Sequence, residues 1–160
     1  MLIFLSGSIN SGKTSTSKAL AERINAELVN VDDLNDTIPN FNLATDLDKS
    51  MDLAIATINN YSSEGKDVVA NYVVRPEDFV RIEHEINTKP QIVITLAPRL
   101  TVAQDSRGNR KLSDWEVSRV KYHYDIGIAS PDFGHIIDNS DITIDQTVDR
   151  ILEIVAKYVN

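Results

Sequence analysis

The stretch that decides the fold is Gly7-Ser8-Ile9-Asn10-Ser11-Gly12-Lys13-Thr14, which follows the short apolar run Leu2-Ile3-Phe4-Leu5. Its spacing fits G-x-x-x-x-G-K-[ST], a loop that cradles phosphate with its backbone N–H groups. A strand candidate precedes the motif and a helical stretch opens at Lys13. Glycines let the backbone wrap close to phosphate, and the helix start offers free N–H groups and a positive dipole end. On this reading Lys13 holds the β- and γ-phosphates of ATP and the Thr14 hydroxyl ligates Mg²⁺. Gly7, Ser8, Asn10, Ser11, Gly12 and Ser15 complete the nucleotide cradle. The competing reading is a plain glycine-rich turn, which would not require the strand, the lysine and the helix together.

Outward from this loop, apolar runs and helical stretches alternate. Strands are expected at 2–6, 27–31, 67–73, 91–97 and 135–138. Their β-branched residues, such as Val68-Val69 and Ile92-Val93-Ile94-Thr95, suit strands. The runs are nearly continuous in apolar character, as in parallel strands covered on both faces. A helix over 13–25 follows the loop, and one over 45–63 carries the stripe Leu47, Met51, Ala54, Ile55, Ile58. Pro76 suits a first helical position, with Phe79, Ile82 and Ile86 on one face behind it. Ser113-Asp114-Trp115-Glu116 and Thr143-Ile144-Asp145-Gln146 read as capping boxes opening two more helices. The order βαβαβαβ(αα)βα predicts one three-layer α/β/α domain over 1–160, with right-handed crossovers placing helices on both faces of the sheet.

Composition narrows the function. The 160 residues contain no Cys, so disulfides, thiolate metal sites and a cysteine nucleophile are excluded. The net charge of −8 repels a phosphate backbone and argues against nucleic acid as a partner. No apolar run approaches a membrane span, and the N-terminus has no basic leader, so the cytoplasm is the expected compartment, with no membrane partner. A guanine-reading Asn-Lys-x-Asp loop is missing. A short chain with this loop points to transfer of phosphate to a small molecule, as a monomer or homodimer.

Three further stretches bear on chemistry. Asp32-Asp33 closes the second strand candidate, at the same sheet edge as the phosphate loop. A carboxylate there can accept a hydroxyl proton or hold magnesium water; an Asp pair that merely caps a turn is the alternative. Arg107-Gly108-Asn109-Arg110-Lys111-Leu112 reads as a basic lid over about 105–112, or as a solvated turn. Arg119 on the next helix either turns towards the site or forms a surface ion pair. Asp138-Asn139-Ser140-Asp141 follows the fifth strand, either beside the adenine or simply turning into a helix. His84, His123 and His135 lack metal-ligand spacing and are read as structural or surface residues.

These motifs, in this order, resemble the nucleoside-monophosphate-kinase-like P-loop kinases, above all the shikimate kinase, gluconate kinase and chloramphenicol phosphotransferase group. The resemblance implies a five-stranded parallel sheet of order 2-3-1-4-5, ATP–Mg²⁺ as phosphoryl donor and a hydroxyl on a small polar molecule as acceptor. It implies Asp32 as catalytic base and second magnesium-facing group, with Asp33 as the fallback. It implies Arg110 as a catalytic lid residue, Arg107 stacked on adenine and Asn139 near the base. The acceptor is expected to lie over residues 34–60 and near Asn71, Arg75 and Arg119, with Asp33 as a further contact. The chain departs from the pattern in places. The glycine triplet that shikimate kinases carry near strand 3 is replaced by Ala70-Asn71-Tyr72-Val73-Val74-Arg75. The region 34–63 has Lys49 as its one basic residue. Asn35 stands where polynucleotide kinases carry arginine. A nucleotide-binding switch with little transfer activity, and a polynucleotide or toxin-type kinase, are the alternatives.

Overall fold

A computed structural model describes residues 1–105 and 111–159. The apolar run after Met1 forms β1 (Leu2–Ser6), whose five residues are all buried. It pairs in parallel with β3 (Val68–Asn71) on one side and β4 (Gln91–Leu96) on the other. β2 (Glu27–Asn30) lies outside β3, and β5 (His135–Ile137) outside β4. The sheet has five parallel strands in the order β2-β3-β1-β4-β5, as expected.

Side chains alternate across each strand, so one apolar run feeds two cores. Leu2 and Phe4 pack with Met51, Ala54, Ile55 and Ile58 of α3 (Leu47–Ser63) and with Ile82 of α4 (Pro76–Glu85). Ile3 and Leu5 pack on the other face with Leu20 and Ala21 of α1 (Lys13–Ile24) and with Val148, Ile151 and Val155 of α7 (Ile144–Val159). These two cores make the three layers. Both capping boxes form. Ser113 Oγ accepts from the Glu116 N–H, opening α6 (Asp114–Asp125), and Thr143 Oγ1 accepts from the Gln146 N–H ahead of α7. Between β4 and α6 runs the short α5 (Leu100–Gln104).

One local expectation changes. The second strand stops at Asn30 and the chain turns at once into α2 (Val31–Asn35), so Asp32 and Asp33 stand in the first turn of a helix and not at the end of an extended strand. Two carboxylates suit the positive end of a helix, and the apolar Val31 and Leu34 pack into the α3 side of the sheet. The lid expected at about 105–112, with Arg107 and Arg110, lies largely outside the described residues. Among the described residues no helix is long and apolar enough to cross a membrane.

Candidate active site

The phosphate loop lies between β1 and α1, at the carboxyl edge of the sheet. Gly7 has φ +141, and a Cβ there would lie 2.4 Å from the Leu96 carbonyl oxygen and 2.6 Å from Ser11 Oγ, so neither backbone nor space admits a side chain. Asn10 and Gly12 also take left-handed conformations, with φ of 60 and 93. Such turns bring successive N–H groups to one concave side. The loop is braced from behind. Asn139 Nδ2 donates to the Ser11 carbonyl at 2.9 Å. Asn10 Nδ2 donates to the carbonyls of Ala103 and Asp105, both at 2.9 Å, tying the loop to the end of α5. Lys13 Nζ donates to the Ser8 carbonyl at 2.9 Å, which folds its ammonium over the loop.

Gly12, Lys13, Thr14 and Ser15 form one end of an open cleft of about 470 Å³. Asp32 and Asn139 also line the cleft, and Ile142 and Ile144 give it an apolar stretch beside Thr147. This is the size and lining of a nucleotide site, with a polar phosphate end and an apolar base end. Of the cradle residues read from the sequence, Asn10, Gly12, Lys13, Thr14 and Ser15 line the cleft. Gly7, Ser8 and Ser11 are buried behind it and shape the loop. Among the described residues no three acidic or imidazole groups gather as a metal cage. The exposed Thr14 hydroxyl and the Asp32 carboxylate across the cleft instead offer the sparse oxygen set that suits Mg²⁺ shared with phosphates and water.

A second cavity, of about 300 Å³, opens on the other side of the same carboxylate, and Ile9, Lys13 and Asp32 border both spaces. Its walls come from the chain before α3, from the segment after β3 and from α6 with its C-terminal turn. Arg75 and Arg119, two of the expected acceptor contacts, line it. Arg75 is already engaged. Its guanidinium donates to both oxygens of the buried Asp78 and also pairs with Glu77 and Asp48. Arg119 lies over the Tyr122 ring, 4.8 Å from its centroid, and has no carboxylate partner among the described residues.

Two expected acceptor contacts are placed elsewhere. Asn71 is wholly buried and donates to Ser17 Oγ at 2.9 Å, while Ser17 donates to the Thr14 carbonyl. It braces α1 from below, because the pairing of β3 with β1 carries it under the loop. Asp33 is exposed on α2 and lines neither cavity, because the helical turn swings it away from its neighbour.

The charges are unevenly tuned. Crowding by protein raises the Asp32 carboxyl above its ordinary value, opposed by Lys13 and reinforced by Asp33 and Asp36. A general base gains from such a shift towards working pH. Burial lowers the Tyr72 phenol's acidity, as its pKa is pushed up chiefly by desolvation. His123, read from the sequence as a structural or surface residue, is structural, in a place the sequence did not indicate. It is buried against the phosphate loop, with Nδ1 3.2 Å from Ser8 Oγ. Burial, with the charges of Arg119 and Lys13, lowers it to about 4, so it is neutral at ordinary pH. The available signal was its i+4 spacing from Arg119, which puts both on one face of α6. Ile142 and Ile144 were also missed, since two isoleucines ahead of a helix look like ordinary core.

No protein-family model and no curated protein matches the sequence. The structure does have likenesses. A shikimate kinase from Acinetobacter baumannii in complex with shikimate superposes with TM-score 0.66 at 15% identity, over 99% of this chain and 95% of that one. A gluconokinase from Sinorhizobium meliloti 1021 gives 0.66 at 13% identity, over 99% and 97%. A sugar kinase from Janibacter sp. gives 0.69 at 13% identity, over 97% and 94%. The chain therefore has the fold of the P-loop small-molecule kinases of the shikimate and gluconate kinase type.

Proposed function

We propose that the chain is an ATP-dependent phosphotransferase acting on a hydroxyl of a small molecule. The observation that carries this reading is the position of Asp32, the carboxylate bordering both the phosphate cleft and the second cavity. Lys13 offsets charge on the transferring phosphoryl group, and the loop N–H groups orient it. Asp32 lies where an acceptor hydroxyl meets that group and takes its proton. The acceptor oxygen bonds to the γ-phosphorus as the bond to the bridging oxygen breaks, giving a phosphate monoester and ADP, and Asp32 returns the proton to solvent. Thr14 and Asp32 would hold Mg²⁺, which would further neutralise the phosphate oxygens when bound. His123, neutral and bonded to Ser8, adds no charge to the loop and keeps it in register with α6.

The test is ADP release from ATP–Mg²⁺ across a panel of hydroxyl compounds, with Asp32→Asn as the control. Stimulation by a hydroxyl compound, lost in the variant, is expected. Nucleotide binding with no stimulation by any compound would refute phosphotransfer and favour a nucleotide-binding switch.

A further inference from the structure

The second cavity is built for an acceptor unlike a sugar. Resting on the phosphotransferase reading, we propose that the acceptor carries a flat apolar body, one hydroxyl directed at Asp32 and one anionic group directed at Arg119. Four large apolar side chains that stay exposed, Leu43, Trp115, Tyr122 and Ile126, all border this cavity. Trp115 is 60% exposed. Isolated exposed apolar residues are ordinary, but four converging on one concave space beside the candidate base mark a binding wall. The inner walls add Leu47, Val73 and Ile128, again apolar.

Among the described residues, polar partners with free bonding capacity are few. The Tyr72 hydroxyl lies beside Ser50 and Asn35, Arg75 is paired with three carboxylates, and Lys13 is turned to the phosphate loop. Among the described residues the walls are mostly apolar, with the Trp115 indole N–H, the Tyr122 hydroxyl and the His123 ring as scattered polar edges, so a polyhydroxylated acceptor would leave most of its hydroxyls without a partner for the water they lose. A ring stacked on Trp115 or Tyr122 loses nothing of the kind. Arg119 is the cation with no carboxylate partner among the described residues, and its guanidinium already lies over an aromatic ring. It is thus positioned to take a carboxylate or similar anion at the cavity mouth.

Trp115 is the single tryptophan of the chain, so its fluorescence reports this cavity without requiring turnover. The probes are para-hydroxymethylbenzoate, para-methylbenzyl alcohol of the same shape without charge, and gluconate as a polyhydroxy acid. The expected result is a saturable change with para-hydroxymethylbenzoate, binding weaker by roughly tenfold or more with the uncharged alcohol, and weaker again with gluconate. Arg119→Gln should erase the advantage of the acid over the alcohol, and Tyr122→Ala should weaken both aromatic probes. Gluconate binding more tightly than the aromatic acid, or an unchanged acid-to-alcohol ratio in Arg119→Gln, would overturn the proposal. ADP release separates the two levels. Release driven by gluconate with no Trp115 response to either aromatic probe sinks this inference and leaves phosphotransfer standing. Aromatic binding with no release from any hydroxyl compound sinks phosphotransfer and leaves the selectivity of the cavity standing.

Discussion

His123 offers the sharpest test of the site's electrostatics. In the unfolded chain an imidazole titrates near 6.5; in the folded protein burial and the nearby Arg119 and Lys13 hold it at about 4. Between those values the unfolded state binds a proton that the folded state refuses. Stability from this group is therefore complete above the unfolded value and is lost as pH falls, with a slope of up to about 1.4 kcal/mol per pH unit. Across the window the loss is about 3 kcal/mol. At an unfolding entropy of about 2.1 cal/mol/K per residue, a chain of 160 residues loses roughly 10 °C in Tm. The perturbation is His123→Gln, which keeps a hydrogen-bonding group near Ser8 Oγ and cannot titrate. Asp32, raised above its ordinary value, also adds to the pH dependence, so the readout is the difference in pH slope between wild type and variant. Urea unfolding from about pH 7 to about pH 4 should show a shallower fall for the variant, by about 3 kcal/mol at the acid end. Parallel curves would refute the claim that His123 is buried neutral against the phosphate loop. So would a titration of its ring, followed by NMR, near the ordinary histidine value.

Further outcomes follow from the same geometry. Lys13→Ala removes an ammonium that lies over the loop and donates to the Ser8 carbonyl, so ATP turnover should fall by orders of magnitude while circular dichroism and Tm change little; retained turnover would count against the loop as a phosphate site. Asp32→Asn should lower kcat by roughly 10²-fold or more with ATP affinity nearly unchanged, whereas Asp33→Asn, exposed and outside both cavities, should leave kcat close to wild type. Because the Asp32 carboxyl is raised, activity should fall on acidification at a pH above the ordinary carboxylate value, and its ionised form should be a net burden on the apo fold at neutral pH. Asp32→Asn should then raise the apo Tm, and a lowered Tm would contradict that environment. Gly7→Ala meets the Leu96 carbonyl at 2.4 Å with an unfavourable φ, so it should unfold well below wild type in a thermal melt.

The sequence by itself determined the sheet and its layers. The strand runs at Leu2–Ser6 and Gln91–Leu96 had to be buried on both faces because apolar residues fill both halves of the alternation. The two capping boxes located α6 and α7, since a hydroxyl and a carboxylate or amide three residues apart close a helix end whatever surrounds them. The phosphate loop was legible for the same reason, as its chemistry is contiguous in the chain. Tertiary structure decided the rest. Asp32 and Asp33 are alike in sequence, and only the turn into α2 directs one of them at both cavities. Asn71 looked like a ligand residue until strand pairing put it beneath α1. His123 and Ser8 are 115 residues apart, and nothing local to either announces the contact. The second cavity is assembled from segments before and at the start of α3, after β3 and along α6; the sequence marked Arg75 and Arg119 there but not the apolar side chains that wall the space between them. A site built from distant side chains leaves no periodicity or spacing in the chain, because its geometry exists only once the sheet has brought those segments to one edge.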